Sequence, residues 1–154
     1  MLKGVDPLLT PELLMHLAAM GHGEWVAVVD ANFTAHHLAQ GKPVVHLAGH
    51  SLARVASAVL SVIPLAEDVE QPAAYMHACH LASGQRTAAQ ETLMSVLLQE
   101  STPAHKVAAL ERFAFYDQTR QASLIIQTGE LTPYGNALFC KGVITQPVAI
   151  RLAA

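Results

Sequence analysis

Short, continuously apolar runs along the chain predict strands that are buried on both faces. The first of them, Glu24 to Asp30, has five apolar residues between its two acids. Between these runs, Leu, Met and Val recur at helical spacing and predict helices. The predicted strands cover residues 24–30, 43–47, 73–79, 123–128 and 136–144. The predicted helices cover residues 11–20, 52–62 and 87–99.

Capping residues mark the ends of the first predicted helix. Thr10 can cap it, Pro11 suits its first position, and Glu12 favours the positive end of the helix dipole. We expect Gly21 to end this helix in a left-handed conformation. Residues 103–121 also carry a helical signal, but it is too long for one uninterrupted helix, and periodicity does not place the break.

The alternation of strands and helices indicates an α/β domain in which helices cover a largely parallel sheet. A chain of 154 residues has the length of one ordinary domain. We therefore predict a single domain over residues 1–144, followed by a C-terminal tail over residues 145–154 that contains Pro147.

The composition is apolar for a chain of this size. Hydrophobic residues make up 52% of the sequence and charged residues 14%, and the mean hydropathy is +0.32. Apolar surface left over in a small domain is commonly covered by another copy of the chain, so we expect a homo-oligomer. The best candidate for a membrane span, residues 55–65, is shorter than the ~20 residues required. No apolar signal-peptide core follows Met1, and we expect a cytoplasmic protein without membrane contact.

Charge and cysteine content narrow the function classes further. The formal net charge is -3 and the Lys and Arg residues do not cluster, which argues against nucleic acid as a partner. Cys79 and Cys140 form no CxxC pair and suit reduced thiols in a reducing compartment. We expect both side chains to be small buried hydrophobes, because free cysteine is among the most buried residue types.

Two residues near the first strand are candidates for acid/base chemistry. Asp30 ends the strand, at the edge where ligands bind in α/β sheets. His22 lies between two glycines, so its ring can stand clear of its neighbours. Imidazole exchanges protons near neutral pH without a metal. The residues alone leave two simpler interpretations open, with Asp30 as a loop acid or turn cap and His22 as a turn histidine.

A second group of candidates lies further along the chain. Arg112 precedes the aromatic run Phe113-Ala114-Phe115-Tyr116, and the alternative here is a core aromatic pair with an arginine at its edge. Tyr134, Gly135 and Asn136 lie in a loop, where a phenol and a carboxamide can both donate and accept hydrogen bonds. The alternative for them is a turn that only starts the last strand.

Nine histidines raise the question of a metal site. His46 and His50 are four residues apart, and His77, Cys79 and His80 are close in sequence. None of these groups has the spacing of a recognised zinc signature. No Walker loop, dinucleotide fingerprint or GxSxG elbow occurs in the sequence. We therefore expect no metal and no cofactor.

Seven short segments occur in one unbroken order from Leu2 to about Val143. Each segment alone is a weak signal, but their order in a chain of this length is specific. Together they resemble the L-fucose mutarotase and D-ribose pyranase family, the RbsD/FucU family. The segments are Leu8-Leu9-Thr10-Pro11-Glu12-Leu13-Leu14, Met20-Gly21-His22-Gly23, Asp30-Ala31-Asn32-Phe33, Glu111-Arg112-Phe113-Ala114-Phe115-Tyr116, Thr128-Gly129-Glu130, Tyr134-Gly135-Asn136 and Lys141-Gly142-Val143.

The resemblance implies a three-layer α/β/α fold and a metal-free isomerase of carbohydrate metabolism, a monosaccharide mutarotase. It implies His22 as the proton donor, and Asp30 and Arg112 as substrate ligands. It also implies that the loop of Tyr134, Gly135 and Asn136 holds the sugar. An arginine at the position of Arg112 resembles the fucose branch, so the expected substrate is L-fucose. Family members form rings, commonly decamers, with sites near subunit contacts, in agreement with the oligomer expected from composition.

The sequence departs from the fucose branch after the second predicted strand. It has His46-Leu47-Ala48-Gly49 where that branch usually has Arg-Ala-Asp-Gly. This puts an ion pair and a sugar or interface contact in doubt. Three alternatives stay open: a D-ribose pyranase, a noncatalytic sugar-binding or transport-associated protein of the same fold, and a histidine-rich metal protein.

Mutarotation itself opens a hemiacetal ring and closes it on the other face, which requires proton transfer and several hydrogen bonds. In this hypothesis, His22 protonates the ring oxygen of the sugar. Asp30 and Arg112 fix the sugar hydroxyls. The partner base stays open among Tyr134, Asp30 and a bound water.

Overall fold

The computed structural model describes residues 2–145, and within this range the chain forms five α-helices and six strands. Nearly all of the predicted tail, residues 146–154, lies outside the described residues. The helices are α1 (Pro11–Ala19), α2 (Ala35–Ala39), α3 (Leu52–Leu60), α4 (Ala88–Gln99) and α5 (Arg112–Gln121). The strands are β1 (Trp25–Val29), β2 (Val44–Leu47), β3 (Ala73–Met76), β4 (Val107–Leu110), β5 (Leu124–Thr128) and β6 (Ala137–Cys140).

The six strands form one sheet in the order β2-β5-β1-β6-β3-β4. β5 is parallel to both β1 and β2, and β3 is parallel to β4. β6 is antiparallel to β1 and β3, so the sheet is mixed rather than uniformly parallel. The reason lies in the short connection from Thr128 to Ala137, which has no crossover helix to return β6 in the parallel direction.

Helices cover both faces of the sheet, which confirms the predicted α/β class and gives it three layers. Side chains alternate along β1, so that Val26 and Val28 face one core while Ala27 and Val29 face the other. Buried residues of α1, α3 and α4 fill the first core. Buried residues of α2 and α5 fill the second.

The structure differs from the sequence-based elements in several places. The long helical signal is broken by a 3-10 helix, Ala104–Lys106, and by β4, which pairs with β3 as an outermost strand of the sheet. The short helix α2 lacks a side-chain cap and was not predicted. The expected left-handed Gly21 is wrong, because α1 ends at Ala19 with Met20 in an extended conformation. Gly23 adopts the left-handed conformation instead, with φ 81°.

The ends of the strands form two opposite edges of the sheet, and these edges carry different residues. At the carboxyl ends of the parallel strands, Asp30 follows β1, and Asn136 precedes the antiparallel β6. At the opposite edge, the backbone N–H of Gly23 donates to the carbonyl oxygen of Lys141, 2.9 Å away, just after β6. His22 therefore lies at this second edge. Among residues 2–145 no helix is long and apolar enough to cross a bilayer.

Candidate functional site

Asp30 and Asn136 form a buried pair at the carboxyl edge of the sheet. Asp30 is 6% exposed and Asn136 is 2% exposed. The amide nitrogen of Asn136 donates to Asp30 Oδ2, and the backbone N–H of Asp30 donates to Asn136 Oδ1, both at 2.9 Å. Burial raises the pKa of the Asp30 carboxyl above its ordinary value, although hydrogen bonds from Asn32 and Asn136 oppose the shift. Asp30 is thus a buried carboxyl group that is fixed by hydrogen bonds, and not a solvated loop acid.

The loop between β5 and β6 closes over this pair through Glu130. The backbone N–H of Ala31 donates to the Glu130 carbonyl oxygen at 2.9 Å. The Glu130 carboxylate accepts from the backbone N–H of Thr132 at 2.9 Å and from that of Leu52, at the start of α3, at 3.4 Å. A Cβ at Gly135 would lie 2.7 Å from Glu130 Cγ, so only glycine permits this close approach.

Tyr134 is held in this loop by a strained backbone. Its φ is 64°, in the left-handed region that costs a non-glycine residue about 1–3 kcal/mol. The side-chain nitrogen of the fully buried Gln90 donates to the Tyr134 carbonyl oxygen at 2.9 Å and to the Met76 carbonyl oxygen at 2.7 Å. Gln90, on α4, thereby ties the loop to the end of β3. Sequence reasoning did not identify Gln90, because nothing in its local sequence shows that it is buried.

A second side-chain amide, that of the half-buried Gln127, holds the segment that follows Asp30. The side-chain nitrogen of Gln127, on β5, donates to the carbonyl oxygens of Ala31 and Phe33, each at 3.1 Å. The Phe33 ring packs edge-on against the rings of Phe115 and Tyr116, with centroids 6.0 and 5.5 Å apart. Residues 30–33 are therefore fixed on β5 and on α5 together.

Arg112 lies at the start of α5, where it is exposed beside Cys79 and Tyr134. Glu111 caps the helix by accepting from the backbone N–H of Phe113 at 2.7 Å. Cys79 Sγ lies 2.8 Å from the Tyr134 hydroxyl oxygen. The hydrogen bond with Tyr134 holds the pKa of the Cys79 thiol below its ordinary value, and Arg112 lowers it further.

The expectation that both cysteines are buried is half wrong. Cys140 is buried in β6, but Cys79 is exposed, and both are free thiols. Cys79 lies beyond the end of β3, where the chain has left the sheet. The predicted strand 73–79 is three residues longer than the observed one, Ala73–Met76, and this error placed Cys79 inside the sheet.

The Asp30–Asn136 pair, Arg112 and Tyr134 border a groove of about 290 Å³ at the carboxyl edge of the sheet. Its size is close to the lower limit of ordinary small-molecule pockets, about 300 Å³. A larger cavity of about 540 Å³ lies near residues 60–67 and 100–106, but it has no buried polar pair like Asp30 and Asn136. The groove is lined by Asp30, Asn32, Phe33, Met76, Arg112, Tyr116, Pro133, Tyr134 and Asn136.

His22 is the one predicted site residue that the chain does not bring to this groove. Its Nε2 lies 3.0 Å from Asp68 Oδ2, and both side chains are exposed. The five residues of β1 separate His22 from Asp30, and that length of strand spans about 16 Å. Asp30, Arg112, Tyr134, Gly135 and Asn136 lie together, while His22 lies at the opposite edge of the same sheet.

His46, which stands where the fucose branch usually has an arginine, contacts the side chain of another histidine. His46 Nε2 lies 3.0 Å from His36 Nε2, and the two exposed rings have centroids 5.2 Å apart. Across residues 2–145, no group of three or more His, Cys, Asp or Glu side chains is arranged to hold a metal ion. The pair joins the end of β2 to α2.

Similarity to known proteins extends over nearly the whole chain. Residues 3–144 match the RbsD / FucU transport protein family. An L-fucose mutarotase of Glaesserella parasuis serovar 5 is 38% identical over 143 residues, which cover 93% of this chain and 96% of that protein. A fucose mutarotase of Homo sapiens is 37% identical over 147 residues, covering 93% and 94% of the two chains. The crystal structure of a fucose mutarotase from Streptococcus pneumoniae in complex with L-fucose superposes with a TM-score of 0.84 at 26% identity, covering 94% of this chain and 100% of that one.

Proposed function

The chain belongs to the RbsD / FucU transport protein family, and we propose that it is an L-fucose mutarotase, an isomerase that interconverts the α and β anomers. The observation that carries the proposal is the groove in which the buried Asp30–Asn136 pair meets Arg112 and Tyr134. Relatives 37% and 38% identical carry the name fucose mutarotase, and they point to the same sugar.

The groove provides the groups that a ring-opening reaction on a sugar requires. Asp30 accepts hydrogen bonds from sugar hydroxyls, since a carboxylate has lone pairs beyond those used by Asn32 and Asn136. Arg112 donates charge-assisted hydrogen bonds, and Tyr134, Gly135 and Asn136 form the loop against the sugar. The reaction moves protons only, so it requires no metal or cofactor, and acid/base assistance contributes roughly 10² to 10⁴ in rate.

His22 is the proton donor in this proposal, and it comes from a neighbouring copy of the chain. Within one chain, β1 separates His22 from the groove by about 16 Å, which is far beyond the reach of a proton transfer. An exposed imidazole at the amino edge of one copy can enter the groove at the carboxyl edge of the next. Asp68, 3.0 Å from His22 Nε2, then orients the ring.

Exposed apolar side chains at both edges support this mode of assembly. Phe113 and Leu131, near the groove, are 66% and 74% exposed. Val143 and Ile144, which follow Lys141 at the His22 edge, are 58% and 74% exposed. Contact between two different edges is heterologous, and heterologous contacts that close generate rings. We therefore extend the proposal to a homo-oligomeric ring, with the decamer of the family as the expected assembly.

The proposal also includes a cytoplasmic location. The two free cysteines suit a reducing compartment.

Exchange NMR on L-fucose tests the proposed activity. Cross-peaks between the α and β anomeric protons should build up faster with enzyme than in buffer, and Arg112→Ala should lose most of the acceleration. D-ribose under the same conditions is the matched control for the pyranase alternative. Exchange no faster than in buffer would contradict the activity, and ligand-saturable binding without exchange would indicate a noncatalytic sugar-binding protein.

The assembly is tested by sedimentation and light scattering of the purified protein. We expect one species of about ten copies. Ile144→Asp, which places a charge on the exposed His22 edge, should shift it to smaller species. Thr92→Asp, which introduces the same charge at an exposed position midway along α4, is the control and should leave the mass unchanged. A monomeric wild type would contradict the shared site.

A further inference from the structure

His36 and His46 are exposed side chains in contact with each other, and the proposed mechanism leaves them without a role. Their Nε2 atoms lie 3.0 Å apart and their ring centroids 5.2 Å apart, with 26° between the ring planes. At this N···N distance, so large a centroid separation means that the two nitrogens point at each other and that the rings are not stacked face to face. The arrangement is that of an N–H···N hydrogen bond. We call these two rings the histidine pair.

The histidine pair anchors the short helix α2. This helix has five residues and no side-chain cap, and Leu38 is the only large side chain among its buried residues. A helix of this length is not stable by itself, so contacts with the rest of the fold set its position. The bond between His36 and His46 fixes α2 to the end of β2.

The chain runs from a wall of the groove directly into α2. Phe33 lines the groove, and its carbonyl oxygen accepts from the backbone N–H of Ala35, the first residue of α2, at 2.8 Å. The same carbonyl oxygen accepts from the side chain of Gln127 at 3.1 Å. Gln127 on β5 is the register partner of His46 on β2. Two neighbouring positions of the sheet therefore hold one continuous segment, residues 31–36.

The bond within the histidine pair depends on how many protons the two rings carry. One Nε2 must carry a proton and the other must not. A pair that is neutral, or that has one positive charge, meets this condition. When both rings are protonated, two N–H groups face each other, the bond is lost and two like charges repel. Because imidazole takes up its proton near about pH 6.5, the bond is sensitive to mildly acid pH.

The surroundings of the histidine pair offer no compensation for a second positive charge. The ion pairs within residues 2–145 include neither ring. Asp117 and Arg120 on α5 pair with each other, and the Lys42 ammonium donates to the Arg120 carbonyl oxygen. The titratable groups on the elements around the pair are His37 on α2, Lys42 and His50 on either side of β2, and Tyr116, Asp117 and Arg120 on α5.

We propose, on the basis of the mutarotase function, that His36 and His46 are positioning residues whose hydrogen bond holds the Phe33 wall of the groove in place while they share one proton. Neither ring lines the groove. At mildly acid pH the second proton breaks the bond, α2 loosens from β2, and the sugar binds more weakly. The KM for L-fucose therefore rises as the pH falls.

The first test needs no sugar. Hydrogen exchange read by mass spectrometry on a peptide covering residues 34–40, and corrected for the intrinsic pH dependence of amide exchange, measures the opening of α2. In wild type, opening should be about 3- to 10-fold more frequent at about pH 5.5 than at about pH 7.5, the factor expected for one lost hydrogen bond. His36→Gln should remove this pH dependence, because a carboxamide can donate to His46 or accept from it in either protonation state.

His37→Gln is the matched control, because it removes an exposed histidine from the same helix. It should keep the pH dependence of the wild type. His46→Ala breaks the bond at every pH and should increase the opening of α2 at both values. Far-UV circular dichroism at both pH values checks that the variants are folded.

The second test is exchange NMR on L-fucose at the same two pH values. In wild type, KM should rise by about 3- to 10-fold from about pH 7.5 to about pH 5.5. His36→Gln should lose most of this rise, and His37→Gln should keep it. The comparison of the two glutamine variants cancels the contributions of Asp30 and His22, since both variants retain these residues.

The outcomes separate this inference from the function on which it rests. Opening of α2 that does not depend on pH, or the same KM profile in His36→Gln as in His37→Gln, would overturn the role of the histidine pair in an active mutarotase. A wild type that does not accelerate fucose exchange at either pH would overturn the mutarotase function and, with it, the role of the pair in the reaction. Opening and KM that depend on pH together, and lose that dependence only in His36→Gln, support both.

Discussion

Replacement of Gln90 by methionine tests how the fold holds the loop of Tyr134. Gln90 is fully buried at the start of α4, and its side chain makes three hydrogen bonds. Its nitrogen donates to the Met76 and Tyr134 carbonyl oxygens at 2.7 and 2.9 Å, and its oxygen accepts from the Thr87 backbone N–H at 3.0 Å. Methionine has similar length and volume but offers none of these groups.

The expected cost follows from those three bonds. A carbonyl or N–H group left without a partner in a buried site costs about 1–3 kcal/mol. The substitution leaves two carbonyl oxygens without a partner and weakens the cap of α4. The additional apolar burial of the methionine side chain offsets about 1 kcal/mol of this cost. We expect Gln90→Met to lower the free energy of unfolding by about 2–4 kcal/mol. Release of the Tyr134 backbone should also lower kcat/KM for fucose exchange by at least about tenfold.

Urea unfolding at a fixed protein concentration, followed by circular dichroism, measures the first effect, and exchange NMR measures the second. Gln99→Met is the matched control, because Gln99 is exposed at the end of the same helix. It should change stability by less than about 0.5 kcal/mol. Gln90→Met within about 1 kcal/mol of wild type, or destabilised but fully active, would refute the assigned role of Gln90.

Three further predictions concern the groove and the backbone around it. Gly129→Ala should destabilise the protein by about 2 kcal/mol or more in urea unfolding, because a Cβ there lies 2.1 Å from a backbone carbonyl oxygen. Gly49→Ala, with nothing within 4 Å, should be tolerated, and equal effects would contradict this packing. Burial raises the pKa of Asp30 above 3.8, so its contribution to stability is complete below that pH and is lost as the pH rises through the folded-state pKa. Asp30→Asn cannot ionise, and its stability relative to wild type should therefore increase from about pH 4 to about pH 7; a pH-independent difference would contradict the shift. Arg112→Ala should lower kcat/KM for L-fucose by about 10- to 100-fold through loss of charge-assisted hydrogen bonds, whereas Arg120→Ala on the same helix should keep wild-type kinetics, and similar losses in both would count against a sugar contact.

The sequence pattern predicts those elements whose apolar residues are set by local periodicity. Five strands, helices α1, α3 and α4, and the α/β class follow from it. β4 could not be placed, because its residues, Val107-Ala108-Ala109-Leu110, fit a helix as well as a strand. Only the long-range pairing of β4 with β3 decides between the two. The direction of β6 depends in the same way on its neighbours and not on its own residues.

The residues of the candidate site also fall into two groups, those whose position follows from local sequence and those whose position depends on long-range contacts. The position of Asp30 at the carboxyl edge follows from the end of a strand, and the family resemblance supplies Arg112 and Asn136 as companions. The contact of His22 with Asp68 joins residues 46 positions apart, and no local spacing indicates it. The exposure of Cys79 beside Tyr134 likewise depends on where β3 ends and on a loop 55 residues later.

The most direct test of the account is complementation between two impaired variants. His22→Ala and Arg112→Ala carry their defects at opposite edges of the sheet, so each alone should lose most of the acceleration in fucose exchange NMR. When the two chains are co-expressed with different tags and mixed rings are purified, about one quarter of the contacts join an intact His22 edge to an intact Arg112 edge. We predict recovery of about one quarter of the wild-type exchange rate in equimolar mixtures. Mixed rings that stay inactive would contradict a fucose mutarotase site shared between neighbouring copies.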